Sequence, residues 1–137
     1  THVLTSPFLP QTTEIDLPSR KGQEITEFGY PMYAEGLERA VQMLSKLEIP
    51  IEITENGVAD STDKLRPIHL KRHLWILSEL LSKGFDIRSY FHWSLMDNFE
   101  WAEGYSLRFG LYEVDYDSQE RTLRDSGRDY AEIIRKF

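Results

Sequence analysis

Two short segments of this sequence place acidic and aromatic side chains directly after runs that alternate apolar and polar residues. Residues 51–57 read IEITENG, so Glu55 ends the first run and precedes Asn-Gly. Residues 87–101 read IRSYFHWSLMDNFEW, in which Trp93 follows the second run and Glu100 and Trp101 come later. A carboxylate at the end of a strand is held rigidly yet stays open to a ligand, as nucleophilic or acid/base chemistry requires. Carboxylates beside flat rings suit a polyhydroxylated ligand.

The composition excludes several classes of partner and site. The chain has 137 residues, 40% of them hydrophobic, which is typical of one globular unit. Its net charge of −7 argues against binding nucleic acid or an anionic membrane surface. The absence of cysteine removes disulfides, thiol nucleophiles and thiolate metal sites. We expect no cofactor, no membrane span and a cytoplasmic location.

The candidate residues belong to a predicted strand, helix and strand. An amphipathic helix is predicted over 33–47, with apolar residues Leu37, Ala40, Val41, Leu44 and Leu47. A strand follows at 51–54. A second helix begins near Pro67, has a leucine stripe that includes Leu81, and stops at Lys83-Gly84. The second strand covers 87–93, so the segment is a βαβ unit with parallel strands.

The remaining segments are a loop, a hairpin and a last helix. Residues 1–29 are rich in proline and polar breaks and predict a long loop. Alternation at 108–116 and again at 121–123 predicts a hairpin. Ser126 with Asp129 resembles a capping pair for the final helix. His69 and His73 lie one helical turn apart, but with no third ligand evident we expect a solvated helix face and no metal site.

Two parallel strands cannot form a stable domain alone, because each face needs cover and each edge needs pairing. A closed (β/α)₈ barrel takes about 250 residues, more than this chain has. We therefore predict an α/β fold that is the C-terminal portion of such a TIM barrel, with its last two strands and their helices. Residues 1–137 would form a partial catalytic domain that is incomplete on its N-terminal side.

Four motifs then resemble the C-terminal part of family 1 glycoside hydrolases, the retaining β-glucosidases and β-galactosidases with a (β/α)₈ fold. They read TEFGYPMYAEGL at 26–37, ITENG at 53–57, HWSLMDNFEW at 92–101 and RFGL at 108–111. Thr-Glu-Asn-Gly alone would be a weak signal. Four motifs in order over more than a hundred residues are a specific one.

The resemblance implies a role for each candidate residue. Glu55 becomes the catalytic nucleophile at the end of the seventh barrel strand, and Trp93 lines the sugar pocket at the end of the eighth. Glu100 becomes the carboxylate that binds two sugar hydroxyls, Trp101 an indole that donates to another, and Phe109 an aromatic that lines the same subsite. The implied substrate is a β-linked glucoside or galactoside, cleaved with retention of configuration.

Each residue also has a plainer interpretation. Glu55 could be a turn residue, the tryptophans and Phe109 could pack in the core, and Glu100 could be a solvated loop charge. The family's general acid/base lies in an Asn-Glu-Pro motif, which this sequence lacks, as it lacks an Asn-Tyr-Tyr stretch. We expect this chain alone to be inactive and to need the missing N-terminal barrel portion. The alternatives are a non-catalytic carbohydrate-binding fragment and a structural half-barrel that assembles with a separate N-terminal chain.

Overall fold

The computed structural model describes residues 23–136, so most of the predicted N-terminal loop lies outside the described residues. Within that range the elements are α1 (Glu35–Leu44), β1 (Ile51–Asn56), α2 (Arg66–Ser82), β2 (Ile87–His92), β3 (Tyr112–Val114), β4 (Arg121–Leu123) and α3 (Asp125–Ile134). Short 3₁₀ turns follow α1 at Ser45–Leu47 and follow β2 at Trp101–Glu103.

The predicted βαβ unit is confirmed. β1 and β2 pair in parallel and α2 connects them. Pro67 lies in the first turn of α2, where its missing N–H costs no hydrogen bond. The helix ends at Ser82. The N–H of the capping residue Lys83 donates to the Glu79 and Leu80 carbonyls, and the N–H of Gly84, which has a φ of 86°, donates to the Leu81 carbonyl.

The core lies between β1 and the helices α1 and α2. Its buried members are Ala34, Leu37, Val41, Ile51, Ile76, Leu77 and Leu80, with Ile53 and Tyr90 packed against them. The predicted stripes are only partly buried, since Leu44, Leu47 and Leu81 are exposed. Described residues cover only part of each of these three side chains.

The other face of the β1–β2 sheet is open. Glu52 on β1 and Phe91 on β2 are both exposed, Phe91 by 57%. Within residues 23–136, neither outer edge of this sheet pairs with a further strand. A parallel sheet normally has both faces covered, so this arrangement agrees with the expectation that further barrel strands complete it.

The hairpin is confirmed, although its strands are short. β3 and β4 pair antiparallel from Tyr112 with Leu123 to Val114 with Arg121. The chain just before β3 runs instead beside the segment after β2: the Ser94 N–H donates to the Phe109 carbonyl at 3.2 Å, and the Leu111 N–H donates to the Ser94 carbonyl at 2.9 Å. This pairing brings the predicted pocket residues of two motifs together.

The predicted cap of α3 is wrong. The helix begins at Asp125, so Ser126 lies inside its first turn. The Ser126 backbone N–H donates to Asp63 Oδ2 at 2.9 Å, and its hydroxyl donates to Asp63 Oδ1 at 2.6 Å. Asp129 forms an ion pair with Lys71 at 3.3 Å instead. A carboxylate from the loop before α2 therefore caps α3, where its charge also meets the positive end of the helix dipole.

Candidate active site

Glu55 lies near the carboxyl end of β1 and is exposed. The strand register passes from the pair Ile53 with Tyr90 to the pair Asn56 with His92, so β1 has one extra residue between these pairs. Glu55 belongs to this bulge. A bulge bends a strand and redirects side chains, so Glu55 departs from the simple alternation that the sequence predicts.

Trp93 lies next to the end of β1. Its N–H donates to the Asn56 carbonyl at 3.1 Å, and the Trp93–Ser94 peptide bond is cis. A Cβ at position 57 would lie 1.6 Å from the Trp93 carbonyl oxygen, so only glycine fits there. Gly57 is thus required by this close approach of β1 and β2, in addition to any turn chemistry.

Phe109 is buried and contacts the same region from the segment before β3. Its carbonyl accepts from the Ser94 N–H, and its ring lies 6.4 Å from that of Phe28. The Phe109 ring therefore lies near another aromatic ring, and its backbone pairs with Ser94, the residue after Trp93.

Glu100 and Trp101 lie in one tight loop but differ sharply in exposure. Glu100 is 7% exposed, whereas Trp101 is 83% exposed and has a φ of 43°. The Glu100 N–H donates to the Gly104 carbonyl at 2.7 Å, and the Glu103 N–H donates back to the Glu100 carbonyl at 2.8 Å. The loop thus presents an indole surface that remains available for a ligand.

A buried ion pair that the sequence analysis missed holds this loop. Arg124 donates from Nη1 to Asp97 Oδ1 and from Nη2 to Asp97 Oδ2, each at 3.0 Å. Asp97 also accepts from the Gly110 N–H at 2.8 Å and the Val114 N–H at 3.3 Å. Asp97 therefore ties the loop that carries Glu100 to the Phe109 segment, to the hairpin and to the start of α3.

A second missed cluster lies behind β1. Asn56, 2% exposed, accepts at Oδ1 from the Tyr90 hydroxyl at 2.9 Å and lies 3.4 Å from His69 Nε2. His69 and His73 stack with ring centroids 3.8 Å apart, and His73 donates from Nδ1 to the His69 carbonyl at 2.8 Å. The prediction that these histidines form a solvated helix face is wrong.

Burial sets the protonation of this cluster. It lowers the pKa of His69 to about 2 and that of His73 to about 4, so both rings are neutral near pH 7. It also raises the pKa of Tyr90, whose hydroxyl stays protonated and able to donate. The described residues contain no group of three acidic, histidine or cysteine side chains that could hold a metal ion.

The ends of β1 and β2 thus bring together the segments that carry Glu55, Trp93 and Phe109, and Asp97 ties the loop that carries Glu100 to the Phe109 segment. The model of the family described as glycosyl hydrolase family 1 matches residues 9–137. The chain belongs to glycosyl hydrolase family 1. No helix of the described residues is both long and apolar enough to cross a membrane.

Relatives in glycosyl hydrolase family 1 match most of this chain but are much longer. A β-galactosidase of Pyrococcus woesei is 39% identical over 117 residues, which is 85% of this chain and 23% of that protein. A β-glucosidase of Agrobacterium sp. is 41% identical over 122 residues, 82% of this chain and 27% of its own length. The chain therefore spans about a quarter of the length of these relatives.

A solved family member has the same fold over the shared region. The β-glycosidase from Pyrococcus horikoshii superimposes with a TM-score of 0.80 and 40% sequence identity. The match covers 84% of this chain and 27% of that structure.

Proposed function

We propose that this chain is the C-terminal part of a (β/α)₈ β-glycosidase that hydrolyses β-glucosides or β-galactosides with retention of configuration. Glu55 acts as the nucleophile, and Trp93, Glu100, Trp101 and Phe109 bind the sugar. The observation that carries the proposal is the placement of Glu55, an exposed carboxylate in a strand bulge at the carboxyl end of β1. Catalytic groups of barrel enzymes lie at this end of the strands.

The chemistry needs a second carboxyl group that this chain does not supply in the family's motif. Retaining hydrolysis uses two carboxyl groups about 5 Å apart, one to attack the anomeric carbon and one to protonate the leaving oxygen. General acid catalysis contributes about 10²-fold to 10⁴-fold to the rate. The chain alone should therefore turn over substrate very slowly, and the upstream barrel portion should restore the rate.

The decisive experiment restores that portion. We would combine this chain with the N-terminal part of the Pyrococcus horikoshii enzyme that the match leaves uncovered, and call the product the reassembled protein. Release of the chromophore from an aryl β-glucoside should require both parts. Glu55→Gln should abolish this release, because an amide is a far weaker nucleophile than a carboxylate.

Glu52→Gln is the matched control, since Glu52 is an exposed glutamate on the same strand. It should leave turnover unchanged. A fluorosugar inactivator should become bonded to Glu55, and full activity of Glu55→Gln would eliminate the nucleophile role. Sugar binding without turnover in the reassembled protein would favour the carbohydrate-binding alternative.

The genomic context gives an independent test. Upstream sequence that continues in frame into an Asn-Glu-Pro segment would support a single-chain enzyme. A separate neighbouring gene with that motif would support a two-chain barrel.

A further inference from the structure

Asn56 occupies a special place beside the proposed nucleophile. It is the first residue of β1 that pairs with β2 after the bulge, opposite His92. Between this pair and the pair Ile53 with Tyr90, β1 contributes Thr54 and Glu55 while β2 contributes Phe91 alone. The orientation of Glu55 therefore depends on the residue at which β1 resumes pairing with β2, and that residue is Asn56.

Asn56 is fixed from three directions. Its side-chain oxygen accepts from the Tyr90 hydroxyl at 2.9 Å and lies 3.4 Å from His69 Nε2. Its backbone carbonyl accepts from the Trp93 N–H at 3.1 Å. Since Asn56 is only 2% exposed, water does not compete strongly for these bonds.

His69 is oriented by its own neighbour. Because Asn56 Oδ1 can only accept, His69 must donate from Nε2. The stacked ring of His73 and its bond to the His69 carbonyl hold the two histidines on one face of α2, directly behind the strand. The cluster is thus a rigid support that links α2 and β2 to the end of β1.

We propose that Tyr90 and His69 are positioning residues that act through Asn56 to fix the bulge presenting Glu55. This inference rests on the proposed function for its catalytic consequence. Its structural part, that the Asn56 side chain fixes the bulge and is itself held by Tyr90 and His69, concerns this chain alone. Neither Tyr90 nor His69 is proposed to touch the sugar.

The first test is Tyr90→Phe in the reassembled protein, which removes one hydroxyl and keeps the ring. The value of kcat should fall about tenfold, because small displacements of a reacting group cost large factors in rate. KM should change less than kcat, since Tyr90 does not itself touch the sugar. Tyr130→Phe is the matched control, as its ring lies 6.2 Å from that of Tyr90 and its hydroxyl donates to the Tyr90 carbonyl at 3.5 Å rather than to Asn56.

A double-mutant cycle separates positioning from packing. In an Asn56→Ala background, Tyr90→Phe should cause little further loss of kcat, because the 2.9 Å bond to the Asn56 side chain is already gone and only the 3.5 Å contact with the Asn56 carbonyl remains. Independent, multiplicative losses would overturn the proposal. So would a Tyr90→Phe variant that keeps wild-type kcat or loses no more than Tyr130→Phe.

A second pair of variants keeps the proposal testable if Tyr90→Phe fails to fold. His69→Gln retains a donor near the Nε2 position, whereas His69→Leu removes it. Glutamine should keep kcat near the wild-type value and leucine should lower it about tenfold. Equal kcat values for the two variants would overturn the proposal.

Hydrogen exchange distinguishes failure of this inference from failure of the proposed function. If the reassembled wild-type protein shows no turnover, the proposed function fails and exchange of the Trp93 amide in this chain decides the present inference. That amide should exchange about fivefold faster in Tyr90→Phe than in wild type, since one hydrogen bond supporting Asn56 is lost. Equal exchange in wild type, Tyr90→Phe and Tyr130→Phe would overturn the inference.

Discussion

The Asp97 carboxylate and the Arg124 guanidinium form a bidentate ion pair with both side chains buried, 0% and 5% exposed. Both contacts measure 3.0 Å. The pair joins segments 27 residues apart in the sequence. It fixes the base of the loop that carries Glu100 and Trp101, so the geometry of that loop depends on the C-terminal hairpin and helix.

Removing one partner of this pair should destabilise the fold strongly. Asp97→Ala leaves Arg124 buried without its carboxylate, a change that typically costs about 3 to 5 kcal/mol. The exposed pair Arg128 with Asp125 provides the control, and Asp125→Ala should cost less than about 1 kcal/mol. Urea unfolding of the chain measures the free energy of unfolding of each variant. Similar losses for the two would contradict a stabilising role for the buried pair of Asp97 and Arg124.

Gly57→Ala should disrupt the junction of β1 and β2. Its Cβ would meet the Trp93 carbonyl, a backbone atom that can move only if the strand ends separate. We expect a loss of about 3 kcal/mol or more in the free energy of unfolding. Gly36→Ala in α1 is the control, since its Cβ would meet only the Tyr33 ring, and it should change stability by about 1 kcal/mol or less. A Gly57→Ala protein as stable as wild type would refute the contact.

Substituting Asp63 should destabilise α3 more than substituting Asp129, because Asp63 caps the helix and Asp129 does not. Asp63→Ala removes the acceptor of the Ser126 N–H and hydroxyl and a partner of the buried Arg66, so stability should fall by about 2 kcal/mol or more. Asp129→Ala removes only an exposed ion pair and should cost less than about 1 kcal/mol. Thermal unfolding compares them, and a larger loss for Asp129→Ala would restore the capping pair expected from the sequence.

The buried histidines His69 and His73 and the partly buried His92 should make stability fall with acidification. Burial lowers the pKa of His73 and His92 to about 4 and that of His69 to about 2, from 6.5. Below pH 6.5 the unfolded chain binds protons at these rings while the folded chain does not. Each ring should then remove up to about 1.4 kcal/mol of stability per pH unit, until the pH reaches its folded pKa.

Urea unfolding at pH 7, 6 and 5 measures that slope. His73→Gln removes one titrating ring, so the free energy of unfolding should depend less steeply on pH than in wild type. An unchanged slope in this variant would show that His73 titrates normally in the folded protein.

Glu100→Gln should weaken sugar binding in the reassembled protein. A carboxylate that accepts from two hydroxyls makes charge-assisted bonds, and their loss should lower kcat/KM about tenfold or more. Glu103→Gln is the control on the same loop, because Glu103 is exposed. An equal effect of the two substitutions on kcat/KM would argue against a sugar-binding role for Glu100.

Periodicity and turn residues were sufficient to predict the helices, the βαβ unit and the hairpin, because those signals are local. The cap of α3 was not predictable in this way, since Asp63 is 63 residues from Ser126 and no spacing rule links them. His69 and His73 looked like surface residues because a helix of mixed polarity does not reveal which polar face is covered. Arg66 at 0% and His73 at 3% exposure show that this polar face is buried.

The candidate residues themselves were read from motifs, but the groups that hold them were not. Asp97 and Asn56 lie inside the motifs beside the predicted site residues, and their partners Arg124 and Tyr90 come from other segments. A buried polar residue next to a candidate catalytic residue is a useful signal for such partners, although the sequence alone cannot identify which donor reaches it.

Among residues 23–136 the β1–β2 sheet has two unpaired edges, which has a practical consequence for handling this protein. Each edge presents a row of backbone donors and acceptors that a strand from another copy can extend. Purified on its own at high concentration, the chain should aggregate through edge-to-edge strand addition. Dilute refolding with the N-terminal barrel part used in the proposed reassembled protein should suppress that self-association, because its strands would pair with these edges first.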